Sequence, residues 1–241
     1  MARVLVTGAG SGLGFGAARE LVEDGHTVVG HVRSLDRADD LRAVLGDRGS
    51  ILAAELADDE QVRALAEKVR SAGGVDAVIH NAGVVDGRDL LPVNVVAPYV
   101  LTALVPAERV VFLSSGMHRG GHPRLDGLDW SGERRTATYS DTKLMVTALA
   151  AALPRYRPGV FSNAVDPGWV PTRMGGAHAP DDLELGHRTQ VWLAEGEDPA
   201  TRTSAYWHHQ RPQRPHPAAL DEAFQDRLVD ALAQHTGLSL R

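Results

Sequence analysis

The sequence runs to 241 residues, 43% of them hydrophobic, with a formal net charge of −6 and no cysteine. A chain of that length and apolar content can bury a substantial core and is expected to fold as one α/β domain over 1–241. Its acidic balance argues against nucleic acid or an anionic membrane as the main partner, and the missing cysteines exclude a disulfide framework, a thiolate metal site and a cysteine nucleophile. Arg3-Val-Leu-Val6 enters a strand-like run at once, without a leader pattern, and no stretch reaches bilayer-spanning length, so a cytoplasmic protein is expected.

Val4-Leu-Val6 reads as a short buried strand that runs directly into Thr7-Gly-Ala-Gly-Ser-Gly-Leu-Gly14. Leu13, Ala17, Leu21 and Val22 then recur at helical spacing until Asp24-Gly25. Strand, glycine turn and helix in that order suit a diphosphate, because glycines admit it close to the backbone and the helix N-terminus offers free N–H groups. Thr27-Val-Val29 continues as a second strand towards Val32-Arg33-Ser34. An acidic side chain at such a strand end holds the adenosine ribose hydroxyl, whereas an arginine accommodates a 2′-phosphate. Arg33 is the nearby charge and Asp36 comes later, so NADP(H) is expected over NAD(H).

A second helix is expected over 35–45, a third strand over 50–54, a helix capped by Asp58 or Asp59 and closed by Gly73-Gly74, and a fourth strand over 75–79 leading into Asn81-Ala-Gly83. Such alternation predicts a parallel sheet covered on both faces. Residues 91–105 read as a helix containing Asn94, and 109–113 as a buried strand delivering Ser114-Ser115. Residues 116–138 lack a period and read as a long loop, which in a compact domain points to function. A helix over 137–152, a strand over 160–165 ending at Asp166-Pro-Gly-Trp-Val-Pro-Thr172, a helix over 181–194, a last strand over 203–206 and a helix over 218–235 complete the chain. The stretch 173–195 is a candidate substrate lid, and His208 to His216 reads as a surface connection.

Within this frame Tyr139-Ser-Asp-Thr-Lys143 carries chemistry. On a helix the two outer residues stand one turn apart on one face, where an ammonium can lower the pKa of a phenol that otherwise titrates near ~10. The chain holds 23 arginines and two lysines, yet places a lysine here, where a compact charge and not a planar fork is required.

Thr7-Gly8, Gly12-x-Gly14, Asn81-Ala82-Gly83, Asn94, Ser115, Tyr139-x-x-x-Lys143 and Pro167-Gly168 with Thr172, in this order, resemble the short-chain dehydrogenase/reductases over nearly the whole chain. Ser114-Ser115-x-x-His118 before a long polar segment is most similar to their retinol-dehydrogenase-like and oxidoreductase branch. The resemblance implies a Rossmann-type, doubly wound, mostly parallel sheet of seven strands with helices on both faces. It implies that Gly8, Ser11, Gly12, Leu13 and Gly14 hold the diphosphate side of NADP(H), with Arg33 and Ser34 near the adenosine end and Glu55 and Leu56 by the adenine. Asn81, Ala82 and Gly83 would line the adenosine and nicotinamide-ribose path, and Pro167, Gly168, Val170 and Thr172 would meet the carboxamide and phosphates. Tyr139 would exchange the proton, Lys143 would lower its pKa and bind ribose hydroxyls, Ser115 would hold the substrate oxygen, and Asn94 would hold a water. Met117, His118 and Trp169 are expected as pocket walls. Glutamate at 55 departs from the family's usual aspartate. The segments on either side of Asn94 are shorter than usual, which trims a helix the family commonly uses for dimerisation and makes a homo-oligomer doubtful.

The expected activity is NADPH-dependent reduction of a small-molecule ketone or aldehyde. Competing readings are a catalytically silent nucleotide sensor on the same fold and a lyase or epimerase. A metal site built from His118 and His122, or His208 and His209, is not expected, since no acidic ligand adjoins them.

Overall fold

Alternation of side chains along each strand decides the architecture. In β1 (Arg3–Val6), Val4 and Val6 face one side and Leu5 the other, and all three are fully buried, as in a strand covered on both faces. The structure, a computed structural model, describes residues 1–240. Parallel to β1 run β2 (Thr27–Val32), β3 (Gly49–Ala53), β4 (Ala77–His80), β5 (Arg109–Leu113), β6 (Phe161–Asp166) and β7 (Tyr206–His208), while β8 (Arg211–Gln213) pairs antiparallel with β7. Among the described residues they form one eight-stranded sheet in the order β3-β2-β1-β4-β5-β6-β7-β8.

Helices α1 (Gly12–Glu23), α2 (Asp39–Leu45), α3 (Asp59–Ser71), α4 (Ala97–Leu104), α5 (Tyr139–Tyr156), α6 (Leu183–Glu195) and α7 (Glu222–Thr236) cover the two faces. Val4, Val6, Val28, Ile79 and Val111 join one core with α1, α2 and α6, and Leu5, Val29, Val78, Val110 and Phe112 join the other with α3, α4, α5 and α7. The chain crosses from β3 back over β1 and β2 to β4, so the carboxyl ends of β1 and β4 open into the crevice where such folds bind ligands.

Several expectations need correction. The sheet has eight strands, not seven, because His208 to His216 is no mere connection. His209 (φ 47°) and Gln210 (φ 59°) form a two-residue left-handed turn that folds β8 back on β7, and neither residue carries the Asn-Gly signal of such turns. The last parallel strand lies at Tyr206–His208 instead of 203–206. Pro92–Val96 forms a π-turn ahead of α4, leaving that helix eight residues long. The 173–195 stretch divides: α6 packs on α1, where a Cβ at Gly16 would stand 2.6 Å from the His187 ring and His187 pairs with Glu20 at 2.8 Å. Only 173–182 remain as loop.

His80, at the end of β4, is buried and stacked on Phe112 at 4.8 Å, and its Nε2 meets the Thr102 hydroxyl at 2.9 Å. Burial drives its pKa down from 6.5 to about 3. The folded protein therefore keeps His80 neutral while the unfolded chain takes up a proton below pH 6.5. Stability from this group is complete above 6.5 and declines by about 1.4 kcal/mol per pH unit as pH falls towards 3. Thermal melts between pH 7 and 5 are expected to show a shallower fall in Tm for His80→Gln than for the wild type; equal slopes would contradict this.

Candidate active site

The carboxyl end of β1 is stitched to that of β4. The Thr7 N–H donates to the Ile79 carbonyl at 3.0 Å, the Thr7 hydroxyl accepts from the Ala82 N–H at 3.0 Å, and Asn81 Nδ2 donates to the Thr7 carbonyl at 2.9 Å. The glycine loop between them is sterically fixed: a Cβ at Gly14 would lie 2.4 Å from both the Gly8 carbonyl oxygen and Asn81 Nδ2, and Gly12 is held at φ +57°. His31 on β2 pins the loop from beneath. Its Nδ1 accepts the Gly8 N–H at 3.1 Å and its Nε2–H donates to the Ala54 carbonyl at 3.0 Å, an arrangement only the neutral ring satisfies. Burial lowers its pKa accordingly.

Two features of this corner fit a dinucleotide. Asp58, Thr138, Asp182 and Asp221 each cap a helix through the side chain, whereas Ser11 makes no cap bond at α1 and no acid occupies its first turn. The α1 N-terminus thus keeps N–H groups and a positive dipole end for an anion. Asn81 Oδ1 is buried without a partner at the same corner. Thr172 closes the loop from above, its Cγ2 3.1 Å from where a Gly12 Cβ would be.

The next strand ends carry the groups expected to handle a proton. Ser115 follows β5, and its hydroxyl accepts the Met117 N–H at 3.2 Å, which anchors it at the head of a 3-10 turn. Thr138 and Asp141 form a capping box that sets the first turn of α5 and with it Tyr139. Tyr139 faces the same cavity as Ser115; burial raises its pKa, interaction with the Ser115 hydroxyl pulls it down, and the charge of Asp166 raises it. The Lys143 ammonium, 5% exposed, donates to the Leu113 carbonyl at 2.6 Å and lies 5.5 Å from the centre of the Tyr139 ring. Its own pKa falls from 10.5 to about 8 through burial. The Tyr139 pKa is thus raised, chiefly by burial, instead of lowered by Lys143 as expected. Asn94, at the centre of the π-turn, accepts from the Val84 N–H at 2.8 Å and donates to the Val84 carbonyl and the Thr142 hydroxyl at 2.9 and 3.0 Å.

A cavity of 660 Å³ brings Leu13, Asn81, Gly83, Ser115, Tyr139 and Lys143 together with the 167–170 turn and Thr172. Met117 and Trp169 stand on its wall as expected. His118 does not: it is fully buried, with Nδ1 2.7 Å from the Ser115 carbonyl and Nε2 accepting the His216 N–H at 3.0 Å, because its ring ties two loops together. At the far end, Arg33 pairs with Glu55 at 2.5 Å, Ser34 is tied to Asp36, and Leu56 is buried in the core. The sequence reading missed Asp166 and His208, both on the cavity wall. Asp166 stood directly before the Pro167-Gly168 motif, whereas His208 reaches the cavity through the pairing of β7 with β6, which sets it beside Asp166.

Residues 2–117 match the family model described as short chain dehydrogenase. Over 256 aligned residues, covering 100% of this chain and 99% of the relative, the sequence is 36% identical to the short-chain dehydrogenase chry4 of Gibberella zeae. The chain belongs to the short-chain dehydrogenases. It is also 28% identical to human retinol dehydrogenase 13 over 98% of this chain and 84% of that protein, in keeping with the retinol-dehydrogenase-like branch. An uncharacterised protein from Mycobacterium paratuberculosis superposes with a TM-score of 0.84 at 25% identity, covering 100% of this chain and 95% of that one. This short-chain dehydrogenase is thus an NAD(P)-binding oxidoreductase of Rossmann fold. Among its described residues no helix is long and apolar enough to cross a membrane.

The buried ammonium carries a cost that a measurement can expose. A fall in pKa from 10.5 to about 8 corresponds to roughly 3 kcal/mol, present in full below pH 8 and relieved as pH rises to 10.5, where the unfolded chain also loses the proton. Lys143→Met is expected to raise Tm at pH 7, with the gain shrinking between pH 8 and 10.5; a lowered Tm at pH 7 would count against a strained charge.

Proposed function

We propose that this short-chain dehydrogenase reduces the carbonyl group of a ketone or aldehyde at the expense of NADPH. The observation that carries the reading is the meeting of Ser115, Tyr139 and Lys143 on one cavity with Asn81 and Gly83, with the Lys143 ammonium near the Tyr139 ring. Bound across the glycine loop and the Asn81 corner, the nicotinamide dinucleotide supplies a hydride. Ser115 and Tyr139 hold the carbonyl oxygen, where negative charge develops, and Tyr139 gives it a proton. A phenol whose pKa is raised stays protonated at neutral pH, the form a reduction requires of its acid. Lys143, with a pKa of about 8, is an ammonium at pH 7 and offsets the charge left on the tyrosine oxygen. Asn94 fixes the Val84 loop against α5 and is the residue best placed to hold a water beside Lys143, since a Cβ at Gly83 would lie 3.2 Å from its Oδ1 and 3.7 Å from the Lys143 ammonium.

The preference for NADPH rests on Arg33, whose side chain is 85% exposed at the end of β2 and has Glu55 as its ion-pair partner. A 2′-phosphate offers that guanidinium a stronger, bidentate partner than the single carboxylate contact it now has. Nicotinamide fluorescence titrations are expected to give tighter binding of NADPH than of NADH, and Arg33→Ala is expected to weaken NADPH about tenfold or more while leaving NADH within about twofold. Tighter NADH binding by the wild type would sink the role of Arg33.

A further inference from the structure

The substrate end of the cavity has an unusual charge pattern. Asp166 and Asp181 both line it, no arginine does, and its one lysine spends its ammonium on the Leu113 carbonyl. Asp181 is engaged by the Trp169 N–H at 2.6 Å. Asp166 Oδ1 accepts the Gly168 N–H at 3.1 Å, and its ion-pair partner among the described residues is His208, whose Nδ1 stands 3.8 Å from Oδ2, beyond a hydrogen bond. Gly116 leaves room in front of that oxygen, since a Cβ there would lie 3.0 Å from it. Asp166 lines the same cavity as Ser115 and Tyr139, where a carbonyl would be held. The cavity mouth is otherwise apolar: Val85, Met117, Trp169 and Met174, each 46–62% exposed, all stand on its wall.

On the reductase reading given above, we infer that the cavity takes an apolar carbonyl compound carrying a hydrogen-bond donor, a hydroxyl or a protonated amine, next to the carbonyl, and that Asp166 receives this donor. Anionic substrates meet two carboxylates and no arginine, which disfavours them by repulsion and by unpaired charge. Asp166 then serves as a specificity residue beside the proton-transferring pair, and the four apolar side chains at the mouth hold the remainder of the substrate.

The test compares kcat/KM of the wild type and Asp166→Asn with NADPH and four probes: acetophenone, 2-hydroxyacetophenone, protonated 2-dimethylaminoacetophenone and benzoylformate. The substitution keeps an oxygen for the Gly168 N–H, removes the charge and replaces the other acceptor oxygen by an N–H donor. Any general effect on Tyr139 alters all probes alike, so the ratio to acetophenone isolates the contact with the donor. The two donor-bearing ketones are expected to lose about tenfold or more of their advantage over acetophenone in the variant, while benzoylformate gains on it. Ratios unchanged within about twofold would overturn the inference while leaving the reductase reading intact. Failure of the wild type to reduce any probe would instead count against the reductase reading. In that case the shift in Tm of the NADPH-saturated protein with each probe still decides on Asp166: a shift by the donor-bearing probes that is lost in the variant supports its role, and equal or absent shifts overturn it.

Discussion

One ammonium in a place that barely tolerates it organises the chemistry of this molecule. Lys143 Nζ is taken out of water, tied to the last carbonyl of β5 and set near the Tyr139 ring, at a cost visible in its lowered pKa. Nothing in packing demands a charge there. A helix start fixed by the Thr138–Asp141 capping box aims Tyr139, and one turn later the same helix delivers Lys143 to the end of the neighbouring strand. The phenol is likewise buried and kept protonated, so on the reductase reading proposed above the pair holds an acid and a counter-charge ready before any substrate arrives.

Around that pair the sheet acts as a frame that brings four loops to one rim. The β1 and β4 ends are locked to each other by Thr7 and Asn81, and His31 reaches from β2 to hold the glycine loop and the end of β3 together. That histidine can do so only as the neutral ring, since both of its nitrogens are committed, one as acceptor and one as donor. The same rim leaves polar groups deliberately unspent, namely the uncapped start of α1 and the buried Asn81 Oδ1. In a protein whose other long helices are mostly capped by their own side chains, these gaps mark where a ligand completes the hydrogen bonding.

How far the sequence could be read follows from how local each signal is. The parallel sheet, the glycine turn and Tyr139-x-x-x-Lys143 depend on periodicity and short spacing, and all of them appear where the residues imply. The β7–β8 hairpin was illegible because its left-handed turn uses His209 and Gln210, residues with no special preference for that geometry. His118 misled for a related reason: its neighbourhood to Ser115 in sequence suggested a pocket wall, but its ring turns away to bind the loop at His216, a contact 98 positions distant. The direction of the Tyr139 shift was also hidden, since a four-residue spacing says nothing about how deeply the phenol is buried. Asp166 and His208 meet at the cavity only through the pairing of β6 with β7.

The central claim is that Tyr139 delivers the proton to a carbonyl oxygen at this rim. Its most direct test is the steady-state oxidation of NADPH with a panel of apolar ketones by the wild type and by Tyr139→Phe, with cofactor binding measured in parallel. The account predicts a loss of at least about 10²-fold in kcat for the variant with NADPH affinity nearly unchanged. Equal turnover by the two proteins would contradict it.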